Sequence, residues 1–307
     1  MATSVSTQGL IDHLQNKGYR GRVVSIHRLQ DLQEGIEGLR HDGLLDEDLY
    51  KDYLNGFDSA PPQELPNAKS ILVVAAPQPQ YRVTFQSGTK SVRLIIPPTY
   101  LFAQEADLAV QHTLYEWLAP HGYRALPARL PKKLLAMRSG LGAYGKNNIC
   151  YVEDIGSFHR LSVFYSDFPC REDTWREPHM LEACQNCTAC QKRCPTGAID
   201  SDRFLIHAER CLTFWNEKPS DVPFPDWIDP QWHEGLVGCM RCQKACPENK
   251  AFWNWIEEGP QFSHDETVLL LAGASGDQLP TAIKEKLEGF DLMQLLYTMP
   301  RNLEVYI

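Results

Sequence analysis

Residues 184–198 read CQNCTACQKRCPTGA, which places four cysteines and a proline within fifteen residues. The whole chain of 307 residues has ten cysteines and an otherwise ordinary globular composition, with 43% hydrophobic residues. A chain of this length buries enough apolar surface to fold without disulfide bonds. In a reducing compartment, closely spaced thiols are more typical of metal ligands than of crosslinks. The stretch therefore predicts a metal-organised module.

The four cysteines follow the spacing C-x2-C-x2-C-x3-C-P, in which three thiolates hold one [4Fe-4S] cluster and the fourth binds a neighbouring cluster. A second group ends in C-x2-C-x3-C-P, and its first cysteine lies far upstream of the others. The pattern predicts two [4Fe-4S] clusters that exchange a ligand. The first takes Cys184, Cys187, Cys190 and Cys246, and the second takes Cys194, Cys211, Cys239 and Cys242. Two structural zinc sites are the alternative, but zinc ribbons pair separated C-x2-C knuckles without this continuous run.

Upstream of the cysteines, the hydrophobic pattern predicts strands and helices in alternation. The first forty residues read as helix, short strand at 22–26 and helix, and the apolar run at 70–80 reads as a strand buried on both faces. Residues 81–96 alternate on either side of Ser-Gly-Thr and predict a hairpin. A helix at 101–122, a strand at 123–128, a helix at 131–141 and a strand at 160–166 follow. We therefore predict an α/β (α+β) layer structure.

Composition divides the chain into three predicted regions. An α/β domain over 1–175 precedes a ferredoxin-like double-cluster module over 176–252, whose order comes from its metal ligands more than from a core. Residues 253–307 resume helical patterning and predict a short helical closing segment. A bare electron carrier needs only about sixty residues, so the large first domain is expected to hold a second redox centre or a substrate.

The net charge and the pattern of the first residues limit the classes of partner and the cellular location that we expect. The formal net charge of −9 and the pI near 5.6 give no overall attraction to phosphate backbones or anionic lipid. The chain does not open on a signal-peptide pattern, and it has no apolar run of the length that crosses a membrane. We therefore expect a cytoplasmic protein with no membrane anchor, for which nucleic acid is a disfavoured partner.

A specific combination of motifs lies between residues 120 and 250. R-x-GLG-x-x-GKN precedes a Gly-Ser strand, then the first cysteine run with its CPTGAI ending, then the second with GCxxCQxxCPEN. In this order the motifs resemble the epoxyqueuosine reductase family, whereas similarity before residue 60 is faint. Besides the eight cysteines, the matching positions are Arg138, 140–142, 145–147, Gly156, Ser157, Asp167, 195–199, Arg210 and Gln243.

The resemblance implies a cofactor in the first domain. Members of that family, and the related reductive dehalogenases, hold a cobalamin over a nitroreductase-like α/β domain and reduce it through two [4Fe-4S] clusters. The expected partners are a low-potential electron donor such as a ferredoxin or flavodoxin, and a small substrate or a corrinoid protein. Cobalt in its lowest oxidation state is a strong nucleophile or reductant. The residues implied near the corrin ring are Gly140, Gly142, Gly145, Lys146, Asn147 and Ser157.

The chain departs from the family at two places. The position that matches the family's proton-donating aspartate is Leu126, which has no proton to give, and no Asp or Glu occurs between 121 and 143. The family's basic tail binds tRNA, whereas 251–307 holds three Lys/Arg and nine Asp/Glu. A phenol donates the proton in the dehalogenase scheme, so Tyr100 and Tyr144 are the candidate acids here, with a packing role as the alternative.

Three functions are consistent with these patterns. The departures favour a cobalamin-dependent iron–sulfur reductase, related to epoxyqueuosine reductase, that acts on an unidentified small molecule or a corrinoid-bound group. A low-potential electron-transfer or activator protein for a corrinoid partner is one alternative, and epoxyqueuosine reduction on tRNA is the other. The remaining thiols and the histidines beside the motifs, Cys150, Cys170, His159 and His207, are predicted to be structural.

Overall fold

The computed structural model describes residues 5–201 and 203–307 and shows a mixed α/β chain. Its strands are β1 Arg20–Ser25, β2 Ser70–Pro77, β3 Gln80–Ser87, β4 Lys90–Ile96, β5 Ala125–Pro127, β6 Gly142–Tyr144, β7 Cys150–Val152, β8 His159–Ser166 and β9 Ile256–Phe262. Its α-helices are α1 Thr7–Asn16, α2 Arg28–His41, α3 Glu47–Leu49, α4 Ala103–Leu118, α5 Lys132–Arg138, α6 Ala189–Arg193, α7 Leu212–Asn216, α8 Arg241–Lys244, α9 His264–Leu271, α10 Thr281–Glu288 and α11 Met299–Glu304. Within the two described ranges, no helix is long and apolar enough to cross a bilayer.

Two compact units share the chain. The first unit holds the chain up to Pro77 together with Gln104–Cys187, and the second holds Gln78–Ala103 together with Thr188–Ile307. These units differ from the predicted division at 175 and 252 in two respects. The hairpin β3–β4 belongs with the cysteine-rich part of the chain, and the C-terminal residues are not a separate segment.

An antiparallel sheet with the order β1-β2-β8-β5 forms the middle of the first unit. Strand β2 is buried along nearly its whole length, as its apolar run predicted. Its alternate side chains pack on opposite faces, which is the period of a strand. Ile71, Val73 and Ala75 face α2 and α5, whereas Leu72, Val74 and Ala76 face α1 and α4. The prediction of an α/β layer structure is thus confirmed, with helices on both faces of an antiparallel sheet.

The second unit builds its sheet from distant parts of the chain. Strand β3 pairs with β4 in the predicted hairpin and, on its other edge, runs parallel to β9. Phe85 of β3 stacks on Phe262 of β9 with ring centroids 5.2 Å apart. Around them, apolar side chains of α9, α10 and α11 close the core. The predicted helical C-terminal segment contains α9, α10 and α11 but begins with a strand, because Ile256–Phe262 gains its backbone partners from a strand about 170 residues earlier.

Candidate metal centre

Two cysteines of the predicted second cluster lie just before short helices. Cys211 directly precedes α7, and its sulfur accepts hydrogen bonds from the Thr213 and Phe214 backbone N–H groups. Cys239 lies two residues before α8, and its sulfur accepts a bond from the Arg241 N–H. Backbone N–H groups at a helix start favour the thiolate that iron requires.

Three of the four thiols assigned to the second cluster, Cys194, Cys211 and Cys239, lie within electrostatic reach of one another. Burial, with smaller contributions from the nearby Cys211 and Cys194 sulfurs, raises the pKa of Cys239 to about 12. Burial also raises the pKa of Cys211, as does the nearby Cys194 sulfur. Cys194 belongs to the first motif in sequence, yet its sulfur lies near the first two sulfurs of the second group. This grouping is the one that the predicted ligand exchange requires.

The two C-x2-C-x3-C-P runs occupy matching helical turns of the second unit. Helix α6 carries Cys190 and ends at Cys194, while α8 carries Cys242 and leads to Cys246. The two helices pack against each other. This packing brings Cys194, at the end of α6, beside the second run, which is the arrangement that lets the fourth thiolate bind the neighbouring cluster.

The first two cysteines of the first run lie at the end of the first unit, braced by the β6–β7 hairpin. The Cys184 N–H donates to Leu181 O, and the Leu181 N–H donates to Tyr144 O. The Lys146 ammonium donates to Cys187 O over 2.8 Å. The glycine-rich turn thus supports the cysteine loop through both its backbone and its lysine.

The described residues fit [4Fe-4S] clusters in their chemistry. Each thiolate of such a cluster binds its own iron atom, so the thiols need to surround a site without converging on one point. In residues 5–201 and 203–307, no three His, Cys, Asp or Glu side chains converge tightly enough to ligate one metal ion. The sulfurs of Cys194, Cys211 and Cys239 instead share one partly buried region, in which bound iron would offset the cost of burying thiolates.

The residues implied near a corrin ring have partners within the first unit. A Cβ atom on Gly142 would lie 2.6 Å from Tyr151 O, and one on Gly145 would lie 2.4 Å from the Asn147 side-chain oxygen. The Asn147 amide donates to the Tyr151 hydroxyl over 3.0 Å, and Ser157 is buried. Gly140 has a φ of 74° and ends the turn after α5. These contacts account for Gly142, Gly145 and Asn147 as parts of a tight hairpin, so a role for the predicted residues at a corrin ring stays a prediction.

Substitution of Gly142 tests the structural role of this hairpin. Because the nearest atom to the added Cβ is a backbone oxygen, we expect Gly142→Ala to lower the free energy of unfolding by about 1–3 kcal/mol. Gly38 lies inside α2 with nothing within 4 Å of an added Cβ, so Gly38→Ala should raise stability by about 0.5–1 kcal/mol. Urea denaturation of both variants measures the difference. Equal stability of the two would show that the hairpin tolerates the extra methyl group.

The two candidate tyrosines do not share a site in either unit. Tyr100 is partly buried in the second unit, and its hydroxyl donates to Glu217. Burial and the Glu217 carboxylate raise the pKa of Tyr100, with smaller effects from Cys211 and Cys239. Tyr144 is buried in β6 of the first unit, where burial raises the pKa of its hydroxyl. The structure thus places Tyr100 beside the second cluster's cysteines, while an acid role for either phenol stays a prediction.

The thiols and histidines predicted to be structural have structural surroundings. Cys150 is buried in β7, and burial raises the pKa of its thiol to about 12. Cys170 is half-buried and donates to Glu172 O. His159 is buried and contacts Gly156 O, and burial lowers its pKa to about 4. His207 contacts Glu209 and Asp200, and within 5–201 and 203–307 it belongs to no group of three side chains that could hold a metal ion.

Residue patterns did not reveal the polar side chains that hold the cysteine segments in place. Asn216 follows Cys211, the first cysteine of the second group, and Asn302 lies close to the C-terminal end of the sequence. Both are buried and bonded to segments that carry cysteines. Glu217 was likewise missed. A lone Asn or Glu between motifs has no local signal, because its partner is set by a contact distant in sequence.

Comparisons with known proteins agree with this site. Residues 183–249 match the family model described as a 4Fe-4S double cluster binding domain. The epoxyqueuosine reductase of Atelocyanobacterium thalassa is 24% identical over 260 residues, which cover 79% of this chain and 81% of that protein. The Burkholderia pseudomallei enzyme of the same name is 34% identical over 122 residues, which cover 38% of this chain and only 29% of that protein. A crystal structure of epoxyqueuosine reductase with an epoxyqueuosine-modified tRNA stem loop superposes with a TM-score of 0.63 at 22% identity, covering 97% of this chain and 80% of that one.

The fold and the cysteine arrangement define an iron–sulfur protein with a double [4Fe-4S] domain. Among proteins of that class, the chain is similar to the epoxyqueuosine reductases in sequence and shares their fold. The resemblance predicted from the motifs is therefore confirmed.

Proposed function

We propose that the chain is an iron–sulfur reductase of the epoxyqueuosine reductase type, which reduces the epoxide of epoxyqueuosine in tRNA. Similarity to a relative of that name over 79% of the chain supports this proposal above all. Reduction of an epoxide consumes two electrons and two protons. Two [4Fe-4S] clusters, each a one-electron carrier, match the electron count. The comparisons thus favour the tRNA alternative over the small-substrate function that the departures indicated.

A second candidate remains the reduction of a small substrate, and Leu126 is the observation in its favour. Leu126 lies in β5 opposite Tyr165 of β8 and packs against the apolar core. A carboxylate from elsewhere, Asp58, reaches the loop after β5 and accepts from the Arg129 N–H over 2.7 Å. The Asp58 N–H also donates to Arg129 O, so this aspartate fastens the loop through a two-point backbone contact. The Asp58 carboxylate is thus held in a structural contact, unlike the carboxylate of a mobile proton donor.

Cobalamin is part of the proposal through the family resemblance alone. It would supply a cobalt centre that passes electrons from the clusters to the substrate. The chain's own residues would bind and orient the substrate, exclude water and deliver protons. A low-potential donor such as a ferredoxin or flavodoxin would reduce the clusters.

The test is anaerobic reconstitution followed by metal analysis and an activity assay. Iron, sulfide and cobalt are measured per chain with and without added cobalamin, and the loaded protein is incubated with an epoxyqueuosine-modified stem loop and a strong reductant. Loss of the epoxide oxygen, detected by mass spectrometry of the stem loop, supports the proposal. A stem loop that stays unchanged while the clusters are intact and reducible would overturn it. Electron transfer to an added corrinoid protein in the same preparation would then support the activator alternative.

A further inference from the structure

The C-terminal helix α11 contacts two segments that carry ligands of the second cluster. The Asn302 side-chain amide donates to Asn216 O over 2.8 Å and to Leu236 O over 2.9 Å. Asn216 ends α7, which begins directly after Cys211. Leu236 lies three residues before Cys239. One amide group therefore bridges the segment after the first ligand and the segment before the second.

A second asparagine links the same two segments directly. The Asn216 amide donates to Gly238 O over 2.7 Å, and the Gly238 N–H donates back to the Asn216 side-chain oxygen over 2.9 Å. Gly238 precedes Cys239 and has a φ of 68°, a conformation that favours glycine. A Cβ there would lie 2.9 Å from the Tyr100 hydroxyl oxygen. The peptide before Cys239 is thus held from both sides.

Arg301 holds the chain that follows α7. Its guanidinium donates to four backbone oxygens, and it lies over the Phe224 ring at 4.1 Å from the centroid. It also donates to the Asn302 side-chain oxygen, which orients the Asn302 amide toward its two carbonyl acceptors. Both residues are almost fully buried, at 8% and 2% exposure. The backbone acceptors of Arg301 are Trp215, Lys218, Pro219 and Val222.

We propose that Asn302 and Asn216 are positioning residues for the second cluster, which set the separation of Cys211 from Cys239. All of the bonds lie inside the second unit, and buried polar groups of this kind are costly to leave unsatisfied. The inference goes beyond the proposed function, since it holds for any substrate. It also gives the C-terminal helix α11 a role in cluster assembly that needs no nucleic acid.

The test compares two substitutions in the same helix region. Asn302→Asp keeps the size of the side chain and an acceptor for Arg301, but it replaces the donor with an oxygen that faces two carbonyl oxygens. Thr298→Val is the control, because Thr298 is equally buried and its hydroxyl bonds only to Leu295 O. After anaerobic reconstitution, we expect Asn302→Asp to retain about half of the iron, or to shift the midpoint potential of one cluster alone. Thr298→Val should retain the iron and both potentials of the parent protein.

Two further measurements separate positioning from general unfolding. The electron paramagnetic resonance signal of the other cluster should persist in Asn302→Asp, which reports that the cysteine module is still folded. In the parent protein, removal of iron by a chelator should speed amide exchange in Met299–Glu304 more than in His264–Leu271. Uniform loss of both clusters in Asn302→Asp, or full retention of both with unchanged potentials, would overturn the proposal. Neither result depends on turnover, so an inactive substrate assay leaves this test intact.

Discussion

Alanine at Cys194 is expected to remove the same cluster as alanine at Cys211, leaving about half of the iron in each variant. In sequence, Cys194 closes the first motif, and a simple assignment would give it to the first cluster. In the structure, its sulfur raises the pKa of both Cys211 and Cys239, so it lies with the second group. Iron analysis and the electron paramagnetic resonance spectrum of the reduced protein measure which cluster is lost.

Two control variants make this test decisive. Cys187→Ala should remove the other cluster, and the remaining signal should differ from that of Cys194→Ala. Cys170→Ala should keep all of the iron, because its half-buried thiol lies outside both cysteine runs and donates to the Glu172 backbone oxygen. If Cys194→Ala and Cys187→Ala left the same signal, the exchange of ligands between the two runs would be wrong. Cys194→Ala and Cys187→Ala should both lose turnover, because each lacks one of the two clusters that carry electrons to the substrate.

The metal centre was the most predictable part of the molecule because its chemistry dictates local spacing. Three thiolates on one cluster require short, regular intervals, and the proline after each last cysteine ends the turn. Those intervals are visible in a dozen residues around Cys184 and Cys246. The structure places Cys211 beside Cys194, as the predicted ligand exchange requires, and it adds that helices α6 and α8 pack together.

The fold was predictable element by element, and its division into units was not. The hairpin at 81–96 was predicted from alternation and a Ser-Gly-Thr turn, and it formed as β3 and β4. Its partners were missed, because β9 reads IEEGPQF, in which glycine, proline and two glutamates hide the alternation. A parallel partner distant in sequence leaves no local trace. For the same reason, the sequence did not reveal the roles of Asn216, which bonds to Gly238, and Asn302, which joins α11 to Asn216.

The glycine-rich turn shows how a motif match and a local structure carry different information. Gly142 and Gly145 were predicted to approach a corrin ring, yet their missing side chains make room for Tyr151 and Asn147 in the same hairpin. Lys146 likewise bonds to the loop of the first cluster's cysteines. A family motif can therefore identify residues that support the cysteine loop of a redox site, and the contacts of Gly142, Gly145 and Lys146 assign them this structural role. Whether a cofactor also rests on the hairpin is decided by the cobalt measurement.

An aspartate at Leu126 is expected to raise single-turnover reduction of an epoxyqueuosine-modified stem loop by about a hundredfold, the lower end of what a positioned general acid contributes. Leu126 is partly exposed in β5, so a carboxylate there keeps access to water, at a modest loss of core packing. Leu126→Asn is the matched control, because it has nearly the same shape and no acidic proton. The gain in Leu126→Asp should fade as the pH rises through the pKa of the new carboxyl group, since only the protonated form can donate. Equal rates for the two variants would show that position 126 does not supply the missing proton. If the clusters are intact, that result would favour the reduction of a small substrate, a reaction in which residue 126 does not donate the proton.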